Sequence, residues 1–266
     1  NIAVITGASS GLGREFVLGM KDYADIDEFW LVARRENRLK ELQDIIDRPC
    51  RILPLDLSQT YDLEVYSETL SKEKPNVKYL INAAGFGKYG SYKTVDTQLA
   101  LNMIDLNVKA LVYITQKTVE YMPAGGRIIQ MGSASTYHPL PNLNIYASTK
   151  VFVKHYSRAL NYELKDKKIR VTTVCPGWVK TEFFDKASID TESERSFAKP
   201  MVKAENVVKK ALKDSLKGKE ISTYGIYNNL HHILSELLPR KVLITLWMQM
   251  QKTHIKNWGC LQISIL

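Results

Sequence analysis

Thr6-Gly7-Ala8-Ser9-Ser10-Gly11-Leu12-Gly13 is a glycine-rich turn that follows the apolar run Ile2–Ile5 and precedes a helical stretch beginning at about Arg14. Glycines allow a tight turn here and let a phosphate approach the backbone N–H groups at the N-terminus of a helix. The spacing Gly-x-x-x-Gly-x-Gly differs from the Gly-x-Gly-x-x-Gly pattern, but the strand before it and the helix after it are the required context. The turn therefore predicts a dinucleotide phosphate site formed by Gly7, Ser9, Ser10, Gly11, Leu12 and Gly13.

Apolar segments of strand length alternate with helical segments along most of the chain. Short runs that are apolar throughout are typical of strands buried on both faces, and their alternation with helices indicates a parallel sheet. We predict an α/β fold, a single Rossmann-like doubly wound parallel sheet with helices on both faces and a helical C-terminal extension. The predicted strands are Ile2–Ile5, Phe29–Val32, Ile52–Leu55, Val77–Ile81, Arg127–Met131 and Ile169–Val174, and the later predicted helices are Arg38–Ile46, Leu63–Leu70, Leu99–Tyr121, Ile145–Leu164 and Val202–Leu216.

The end of the second predicted strand carries two arginines where many dinucleotide enzymes carry an acid. Such an acid, about 20 residues past the glycines, binds the ribose 2′-hydroxyl, whereas Arg34 and Arg35 stand at that place here. Two guanidinium groups suit a 2′-phosphate, so the sequence predicts NADP(H) rather than NAD(H) as the cofactor. The alternative is an exposed, basic start of the second helix.

Tyr146 and Lys150 are four residues apart and therefore share one face of the predicted helix Ile145–Leu164. An ammonium beside a phenol favours the phenolate, so the pair can make a tyrosine an acid and base near neutral pH. The alternative is a surface helix that places the two residues at this spacing by chance.

Several motifs in one order together resemble those of the short-chain dehydrogenase/reductase family. The resemblance covers about residues 1–185, and the joint occurrence is specific although each motif alone is not. It implies an NADP-dependent oxidoreductase that interconverts a carbonyl and an alcohol. The motifs are Thr6-Gly7 with Gly11-Leu12-Gly13, Asp56-Leu57, Asn82-Ala83-Ala84-Gly85, Asn107, Ser133, Tyr146 with Lys150, and Pro176-Gly177.

Four catalytic roles follow from the resemblance. Tyr146 would protonate the carbonyl oxygen during reduction, or accept the proton in the reverse direction. Lys150 would lower the pKa of Tyr146 and hydrogen-bond the ribose beside the nicotinamide. Ser133 would orient the substrate oxygen, and Asn107 would kink its helix and hold a proton-relay water. The protein supplies placement and the proton, because hydride transfer is the chemistry of the cofactor.

The resemblance also implies cofactor contacts outside the glycine turn. Asp56 and Leu57 match the pair that meets the adenine ring, and the segment from Pro176 to Thr181 matches the one that meets the nicotinamide and the pyrophosphate. Ala83 stands where the family has a second asparagine, which affects one polar contact. The predicted cofactor residues beyond the turn are Arg34, Arg35, Asp56, Leu57, Asn82, Ala83, Gly85, Tyr146, Lys150, Pro176, Gly177, Val179 and Thr181; no metal site is predicted.

The loops that face the substrate in this family are aromatic and apolar here, which suits a hydrophobic carbonyl or alcohol of acyl, steroid-like or aromatic character. The alternative for any one of these residues is ordinary packing of a loop onto the domain. His138 is expected to be a loop polar group, because the tyrosine already fills the acid–base role. The residues are Phe86, Tyr89, His138, Leu140, Leu143, Trp178, Phe183 and Phe184.

Three functions remain open at this point. The first is an NADPH-dependent reductase of an apolar carbonyl, or the reverse alcohol oxidation. The second is a reductase of a polar sugar or polyol carbonyl, which the apolar loops disfavour. The third is a non-catalytic NADP-binding sensor or scaffold, which the complete set Asn107, Ser133, Tyr146 and Lys150 disfavours.

The domain organisation is predicted as one catalytic domain, residues 1–225, with a substrate loop at about 181–204. An apolar helical extension, residues 226–258, is followed by a tail, residues 259–266. The extension contains Leu230, Leu234, Leu237 and the run Val242–Met250, and basic residues flank that run. We expect it to pack on its own domain; capping of the substrate cleft, a subunit contact and peripheral contact with a membrane surface are the alternatives.

Composition limits the remaining classes of partner. The 266 residues carry a net charge of +9, but basic and acidic residues are interleaved and no nucleic-acid motif accompanies them, so nucleic-acid binding is not expected. Three cysteines without a Cys-x-x-Cys motif indicate reduced thiols, and the start of the sequence resembles a strand rather than a signal peptide; both favour a cytoplasmic protein. The family resemblance implies a homodimer or homotetramer formed through the helices Leu99–Tyr121 and Ile145–Leu164.

Overall fold

The computed structural model describes residues 1–183 and 201–262, with side chains through Gln251. Seven strands form one parallel sheet in the order β3-β2-β1-β4-β5-β6-β9, and β7 and β8 form a separate parallel pair. The prediction of a parallel, doubly wound sheet is confirmed. The strands are β1 Ile2–Thr6, β2 Glu28–Val32, β3 Cys50–Leu53, β4 Val77–Asn82, β5 Arg127–Met131, β6 Arg170–Val174, β7 Val179–Lys180, β8 Val202–Lys203 and β9 Ile221–Ser222.

Helices cover both faces of the sheet. On one face Phe16, Leu39 and Val208 pack in one apolar cluster, and on the other face Tyr66 and Ile114 pack in a second. All five residues of β1 are buried, because that strand lies at the centre of the sheet between these two clusters. The α-helices are α1 Gly11–Met20, α2 Glu36–Ile46, α3 Thr60–Glu73, α4 Thr97–Ile104, α5 Leu111–Val119, α6 Asn144–Glu163, α7 Ala204–Leu216, α8 Ile226–Leu237 and α9 Arg240–Gln262.

The structure corrects several predicted element boundaries. The predicted strand Ile52–Leu55 lies two residues earlier in the chain as β3, and the long helix Leu99–Tyr121 is divided by a π-helix, Asp105–Ala110. The first two residues of the predicted helix Val202–Leu216 instead form the strand β8, which pairs with β7, and the helix α7 starts at Ala204. The short strands β7, β8 and β9 have two residues each, too few to show a periodicity from which a strand is predicted.

The C-terminal extension consists of α8 and α9, and α9 runs past the end predicted at residue 258. Apolar side chains on both helices remain exposed, among them Ile226 and Leu237. Over Arg240–Gln251, the part of α9 whose side chains the structure describes, a narrow side is buried, at Leu243, Trp247 and Gln251. Among the residues that the structure describes, no helix combines the length and the apolar character needed to cross a membrane.

Candidate active site

The glycine turn joins the end of β1 to the start of α1 and is closed too tightly for side chains at two positions. Gly7 has φ +69°, and a Cβ at this position would lie 2.8 Å from the backbone nitrogen of Ala84. A Cβ at Gly13 would lie 2.3 Å from the carbonyl oxygen of Gly7. The N–H groups of Gly7 and Ala8 donate to the backbone oxygen of Val32, so the N–H groups available to a phosphate are those at the start of α1, from Gly11 onward.

The two predicted NADP-selecting arginines lie at the end of β2, and each contacts a carboxylate. Arg34 is 3.5 Å from Asp56, and Arg35 is 3.1 Å from Glu182. Arg35 also donates to the hydroxyl of Ser9 in the glycine turn, at 3.4 Å from both Nε and Nη2. Arg38, one turn further along α2, binds the other oxygen of Glu182 at 2.9 Å. The guanidinium groups are thus held at the rim of the groove that the turn forms.

Both carboxylates remain charged because of their polar neighbours. Burial alone would raise the pKa of Asp56, but hydrogen bonds from Ser58 and the nearby Arg34 hold that pKa below its ordinary value. Burial likewise acts to raise the pKa of Glu182, and the hydrogen bonds and charges of Arg35 and Arg38 lower it instead. The groove therefore has alternating positive and negative groups on this side.

The end of β4 is joined to the glycine turn by its backbone. The hydroxyl of Thr6 accepts hydrogen bonds from the backbone N–H groups of Ala83 and Ala84, both at 3.1 Å. Asn82 points away from the groove and donates to Thr115 at 2.9 Å in the interior. The hydrogen bond to Thr6 comes from the backbone of Ala83 and not from its side chain. It is therefore kept although alanine stands where the family motif has its second asparagine.

Asn107 lies in the π-helix between α4 and α5, where the extra residue in the turn brings its side chain inward. Its amide donates to the backbone oxygen of Phe86 at 2.9 Å and to the hydroxyl of Thr149 at 3.1 Å. Its side-chain oxygen accepts from the backbone N–H of Phe86 at 3.0 Å. Asn107 therefore holds the strand end after Gly85 against α6, the helix that carries Tyr146.

Ser133, Tyr146 and Lys150 meet above the end of β5. The Ser133 hydroxyl lies near the phenol of Tyr146, and Lys150 donates from Nζ to the backbone oxygen of Met131 at 2.8 Å. The Nζ atom lies 5.7 Å from the centre of the Tyr146 ring. Two groups that can exchange protons with a bound substrate, a hydroxyl and a phenol, are therefore adjacent, with a buried amine behind them.

Burial sets the protonation states of this group. It raises the pKa of Tyr146 to about 12, although the nearby Ser133 hydroxyl acts in the opposite direction. Burial also lowers the pKa of Lys150 to about 8. The phenol is consequently neutral at pH 7, and its pKa lies above its ordinary value, whereas the resemblance implies a lowered pKa for a tyrosine beside Lys150.

One cavity of about 580 Å³ brings most of the predicted residues together. It runs from the glycine turn past Tyr146 to the aromatic loops. Gly13, Asn82 and Asn107 are the predicted residues that do not line it, and they support the wall from behind. The predicted residues that line the cavity are Gly7, Ser9, Ser10, Gly11, Leu12, Arg34, Arg35, Asp56, Leu57, Ala83, Gly85, Ser133, Tyr146, Lys150, Pro176, Gly177, Val179 and Thr181.

The far end of the cavity is apolar. The Phe183 ring lies 5.5 Å from the Tyr146 ring, and Leu140, Leu143 and Trp247 form a small apolar cluster beside it. Trp247 belongs to α9, so the C-terminal extension supplies part of this wall. The predicted loop residues Phe86, Tyr89, His138, Leu140, Leu143, Trp178 and Phe183 all line the cavity; Phe184 and most of the predicted substrate loop lie outside the described residues.

The groove fits a dinucleotide with a 2′-phosphate. It offers the backbone N–H groups at the start of α1 for a pyrophosphate, and Gly7 and Gly11, which line the groove beside them, carry no side chain. It also offers the guanidinium groups of Arg34 and Arg35 and the hydroxyl of Ser9 at one end. This donor set matches the anionic groups of NADP(H).

Among the residues of the site that sequence reasoning did not identify, three are polar residues with defined contacts or positions, Glu182, Asn228 and His231. Glu182 follows Thr181 directly but contacts Arg35, which is remote in sequence. Asn228 and His231 line the cavity from α8, and Asn228 donates to the backbone oxygen of Cys175 at 2.7 Å. The apolar residues of 226–238 predict that they form the packed face of that helix, but the structure leaves most of them exposed. No local pattern predicts that the polar residues of the helix line the cavity.

Comparison with known proteins gives a consistent set of similarities. A model of the short chain dehydrogenase family matches residues 1–192. The chain is 34% identical over 192 residues to the NADP-dependent 3-hydroxy acid dehydrogenase of Escherichia coli K12, covering 68% of this chain and 74% of that protein. It is 32% identical over 191 residues to sulfoacetaldehyde reductase 2 of Chromohalobacter salexigens, covering 69% and 74% respectively.

A solved structure extends the similarity beyond the matched residues. A short-chain dehydrogenase from Sphingobium yanoikuyae in complex with NADPH superposes with a TM-score of 0.75. It covers 89% of this chain and 94% of that one at 26% identity. The similarity thus includes the sheet, the groove at the ends of its strands and much of the chain after residue 192.

Proposed function

Since the chain belongs to the short-chain dehydrogenase/reductase family and is therefore an oxidoreductase that uses NADP(H), we propose that it interconverts an apolar ketone or aldehyde and the corresponding alcohol. The observation that carries the proposal is the aromatic and aliphatic wall next to Tyr146, to which the loop after β5 and α9 both contribute. A hydrophobic substrate gains free energy by burial against such a wall.

The proposed mechanism assigns the proton transfer to Tyr146 and orientation of the substrate oxygen to Ser133. NADP(H) supplies or accepts the hydride when it is bound. In the direction of reduction Tyr146 donates its phenolic proton to the carbonyl oxygen, and Ser133 hydrogen-bonds the same oxygen. In the direction of oxidation the two residues act on the alcohol in reverse. General acid catalysis of this kind contributes typically about 10²- to 10⁴-fold to the rate.

Lys150 and Asn107 act behind the tyrosine in this proposal. The Lys150 ammonium stabilises the phenolate that remains after proton donation, and its own proton is available to restore the phenol. Asn107 is a positioning residue, because it binds the backbone of Phe86 and the hydroxyl of Thr149. Thr149 in turn donates to the backbone oxygen of Tyr146 at 2.7 Å, which ties Asn107 to the catalytic helix.

Charge distribution supports a neutral substrate over an anionic one. Among the described residues that line the cavity, the cations are Arg34, Arg35 and Lys150. The two arginines contact Asp56 and Glu182 at the groove rim, and Lys150 binds a backbone oxygen. None of these cations belongs to the apolar cluster of Leu140, Leu143 and Trp247.

A second candidate is a small anionic carbonyl compound. The relatives named for sulfoacetaldehyde and for 3-hydroxy acids favour it, because both names denote acidic substrates. A cation at the substrate end is what such a substrate requires, and among the described residues that line the cavity no Arg or Lys lies beyond Lys150 towards that end, which is largely aromatic and aliphatic. The apolar substrate is therefore preferred.

The test is NADPH oxidation against a panel of ketosteroids, 3-oxoacyl thioesters, aromatic ketones, keto-sugars and sulfoacetaldehyde, with NADH in parallel. We expect the highest kcat/KM for one of the apolar classes. A higher value for the sugars or for sulfoacetaldehyde would contradict the proposed substrate. Tight NADPH binding without turnover of any compound would favour a binding protein over an enzyme.

The domain organisation and assembly form a further part of the proposal. Residues 1–225 are proposed as the catalytic domain, and 226–258 as an extension that packs on it and completes its substrate wall. A homodimer or homotetramer is proposed through α4 and α6, which expose Leu101, Ile104 and Phe152. Sedimentation of the full chain measures the assembly; a monomer at micromolar concentration would contradict it.

A further inference from the structure

Two histidines from different elements meet at the wall of the substrate cavity. His138 lies in the loop after β5, and His231 lies on α8. His231 Nε2 is 3.2 Å from His138 Nδ1, and both residues line the cavity that contains Tyr146. This imidazole pair consists of His138 and His231, and it is a polar position in an otherwise largely aromatic and aliphatic wall.

The orientation of the pair is held by aromatic neighbours. The Tyr137 ring packs edge-to-face against His231 with 5.4 Å between ring centres and stacks on His232 at 4.6 Å. Arg240 donates to the backbone oxygens of Tyr137 and Ser235, which joins the loop to the end of α8. The two imidazoles are therefore held in place before a ligand binds, which lowers the entropic cost of ligand recognition.

The hydrogen bond between the rings leaves one nitrogen on each of them. Within the described part of the chain, neither ring makes a further hydrogen bond. A neutral imidazole has one N–H donor and one acceptor nitrogen. Whichever ring donates in the bond between them, the pair therefore keeps one N–H donor and one acceptor nitrogen beyond that bond.

Both rings are neutral at physiological pH. Burial lowers the pKa of His138 to about 4, and the neighbouring charges of His231 and Arg240 act in the same direction. Burial and His232 also lower the pKa of His231. A neutral donor–acceptor pair matches a hydroxyl, which both donates and accepts, better than it matches a carboxylate, which only accepts.

Resting on the proposed function, we infer that the imidazole pair of His138 and His231 is a subsite for a hydroxyl group carried by the apolar substrate at a distance from its reacting carbonyl. The substrate class is thereby narrowed to hydroxylated apolar ketones and the matching diols. The surrounding wall offers apolar contact to the carbon skeleton, while the pair satisfies the one polar group that the wall would otherwise leave without partners.

The test compares a saturated polycyclic ketone with its counterpart that carries a hydroxyl on the ring farthest from the ketone. Binding to the full chain saturated with NADP⁺ is followed by the fluorescence of Trp178 and Trp247, which line the cavity. Turnover is followed separately with NADPH. The hydroxylated ketone should bind about 10- to 100-fold more tightly, as expected for one or two hydrogen bonds in a desolvated site.

His138→Phe and His231→Phe should each reduce this ratio to within about threefold of unity, since each removes one partner of the hydroxyl. They should leave the affinity for the plain ketone nearly unchanged, because an aromatic ring remains in the wall. His232→Phe is the matched control. His232 neighbours the pair on α8 but does not line the cavity, so this variant should keep the wild-type ratio.

The outcomes separate the subsite from the proposed function. Equal binding of the two ketones by the wild-type chain would overturn the subsite, as would an unchanged ratio in both histidine variants. An equal loss of affinity for both ketones would also overturn it, because it would assign the pair a purely structural role. The wild-type chain could also prefer the hydroxylated ketone, and lose that preference in the histidine variants, without reducing either ketone. That result would overturn the proposed reaction and leave the hydroxyl subsite supported.

Discussion

The two parts of the molecule that meet at the cavity are built in different ways. Residues 1–183 place their reactive groups on a sheet whose strands are buried on both faces, and Asn107 and Lys150 are bound to backbone atoms of that part. The helices α8 and α9, here called the helical pair, bury few of their side chains up to Gln251, where the described side chains end, and leave apolar ones such as Leu237 exposed. The first part is therefore suited to hold a reaction geometry, and the second to form a wall beside it.

The helical pair is attached largely through hydrogen bonds to one loop. Trp247 and Gln251 both donate to the backbone oxygen of Pro141, at 2.9 Å and 3.2 Å, and Gln251 accepts from Asn142 at 2.8 Å. Arg240 and His231 bind the same loop at Tyr137 and His138. This loop follows Ser133 directly, so the helical pair is positioned by the segment that carries a reacting group and contributes to the substrate wall from there.

Tyr146→Phe gives the largest expected effect and tests whether the chemistry lies wholly in residues 1–183. It removes the proton donor but keeps the ring that packs against Phe183, so kcat should fall by about 10²- to 10⁴-fold. The dissociation constant of NADPH, measured by fluorescence, should change by less than about twofold because the phosphate contacts are remote. Tyr162→Phe on the same helix is the control, since Tyr162 is exposed and should keep full activity. A Tyr146 variant with more than a tenth of wild-type turnover would exclude the tyrosine as the proton donor.

Trp247→Ala tests the other part of the comparison, the helical pair. The indole is 6% exposed, packs on Leu140 and Leu143, and donates to Pro141. Removing an aromatic side chain from the wall should raise KM for an apolar ketone by about 10- to 100-fold, with NADPH affinity unchanged.

Leu246→Ala is the matched control for this change, because Leu246 is the preceding residue on α9 and is about half exposed. It should leave KM within about twofold of wild type. If Trp247→Ala weakened NADPH binding as much as ketone binding, the helical pair would be part of the dinucleotide site and the contrast between the two parts would fail.

The first part of the molecule was predictable from sequence because its requirements are local. Gly7 and Gly13 are demanded by a tight turn, and the Tyr146–Lys150 spacing by one helical face, so family, fold and NADP(H) were predicted and are confirmed by the comparisons. The catalytic roles of these residues remain predictions. The shift of β3 by two residues shows the limit, since Cys50–Leu53 and Ile52–Leu55 are both consistent with a short buried strand and tertiary pairing with β2 selects the first.

The wall could be predicted only in part, because its contacts join residues far apart in the chain. The apolar loop residues from Phe86 to Phe183 were identified by their positions in the family pattern. The pairing of His138 with His231, and of Arg35 with Glu182, depends on how α8 and the segment after β7 lie against the sheet. The periodicity of the sequence does not predict how these segments lie against the sheet. His231 and Glu182 were therefore not predicted as site residues.

Glu182→Gln has a smaller expected effect and tests whether cofactor selectivity lies within residues 1–183. Glu182 brings a negative charge beside Arg35 and Arg38, so its removal should favour a 2′-phosphate at these guanidinium groups. Because the pair is partly exposed and screened, NADPH should bind about two- to fivefold more tightly, with NADH binding unchanged. Titration of both cofactors at low and physiological salt measures the effect.

Glu36→Gln is the control for net charge near the groove. Glu36 follows Arg35 directly but binds Lys40 at 2.7 Å, so this variant should leave the NADPH-to-NADH affinity ratio as it is. Weaker NADPH binding in Glu182→Gln would instead identify Glu182 as a residue that positions Arg35 for the phosphate, and would reverse the assigned sign.

The smallest expected effect concerns acid, and it acts on the contact between the two parts. Folding lowers the pKa of His138 from 6.5 to about 4 and lowers that of His231, so the unfolded chain binds protons that the native chain does not. The stability that the neutral histidine pair contributes is complete above the pKa of the unfolded chain, near pH 6.5, and is lost progressively as the pH falls towards 4.

With allowance for solvent screening, the free energy of unfolding should fall by about 1 kcal/mol between pH 7 and pH 5. Urea unfolding measures this slope, and the double variant His138→Phe/His231→Phe should lack it; an equal slope in the double variant would remove the pair from the acid response. Because the pair joins α8 to the loop after β5, hydrogen exchange at pH 5 should accelerate first in Ile226–Leu237 while β1 stays protected, once rates are corrected for intrinsic pH dependence.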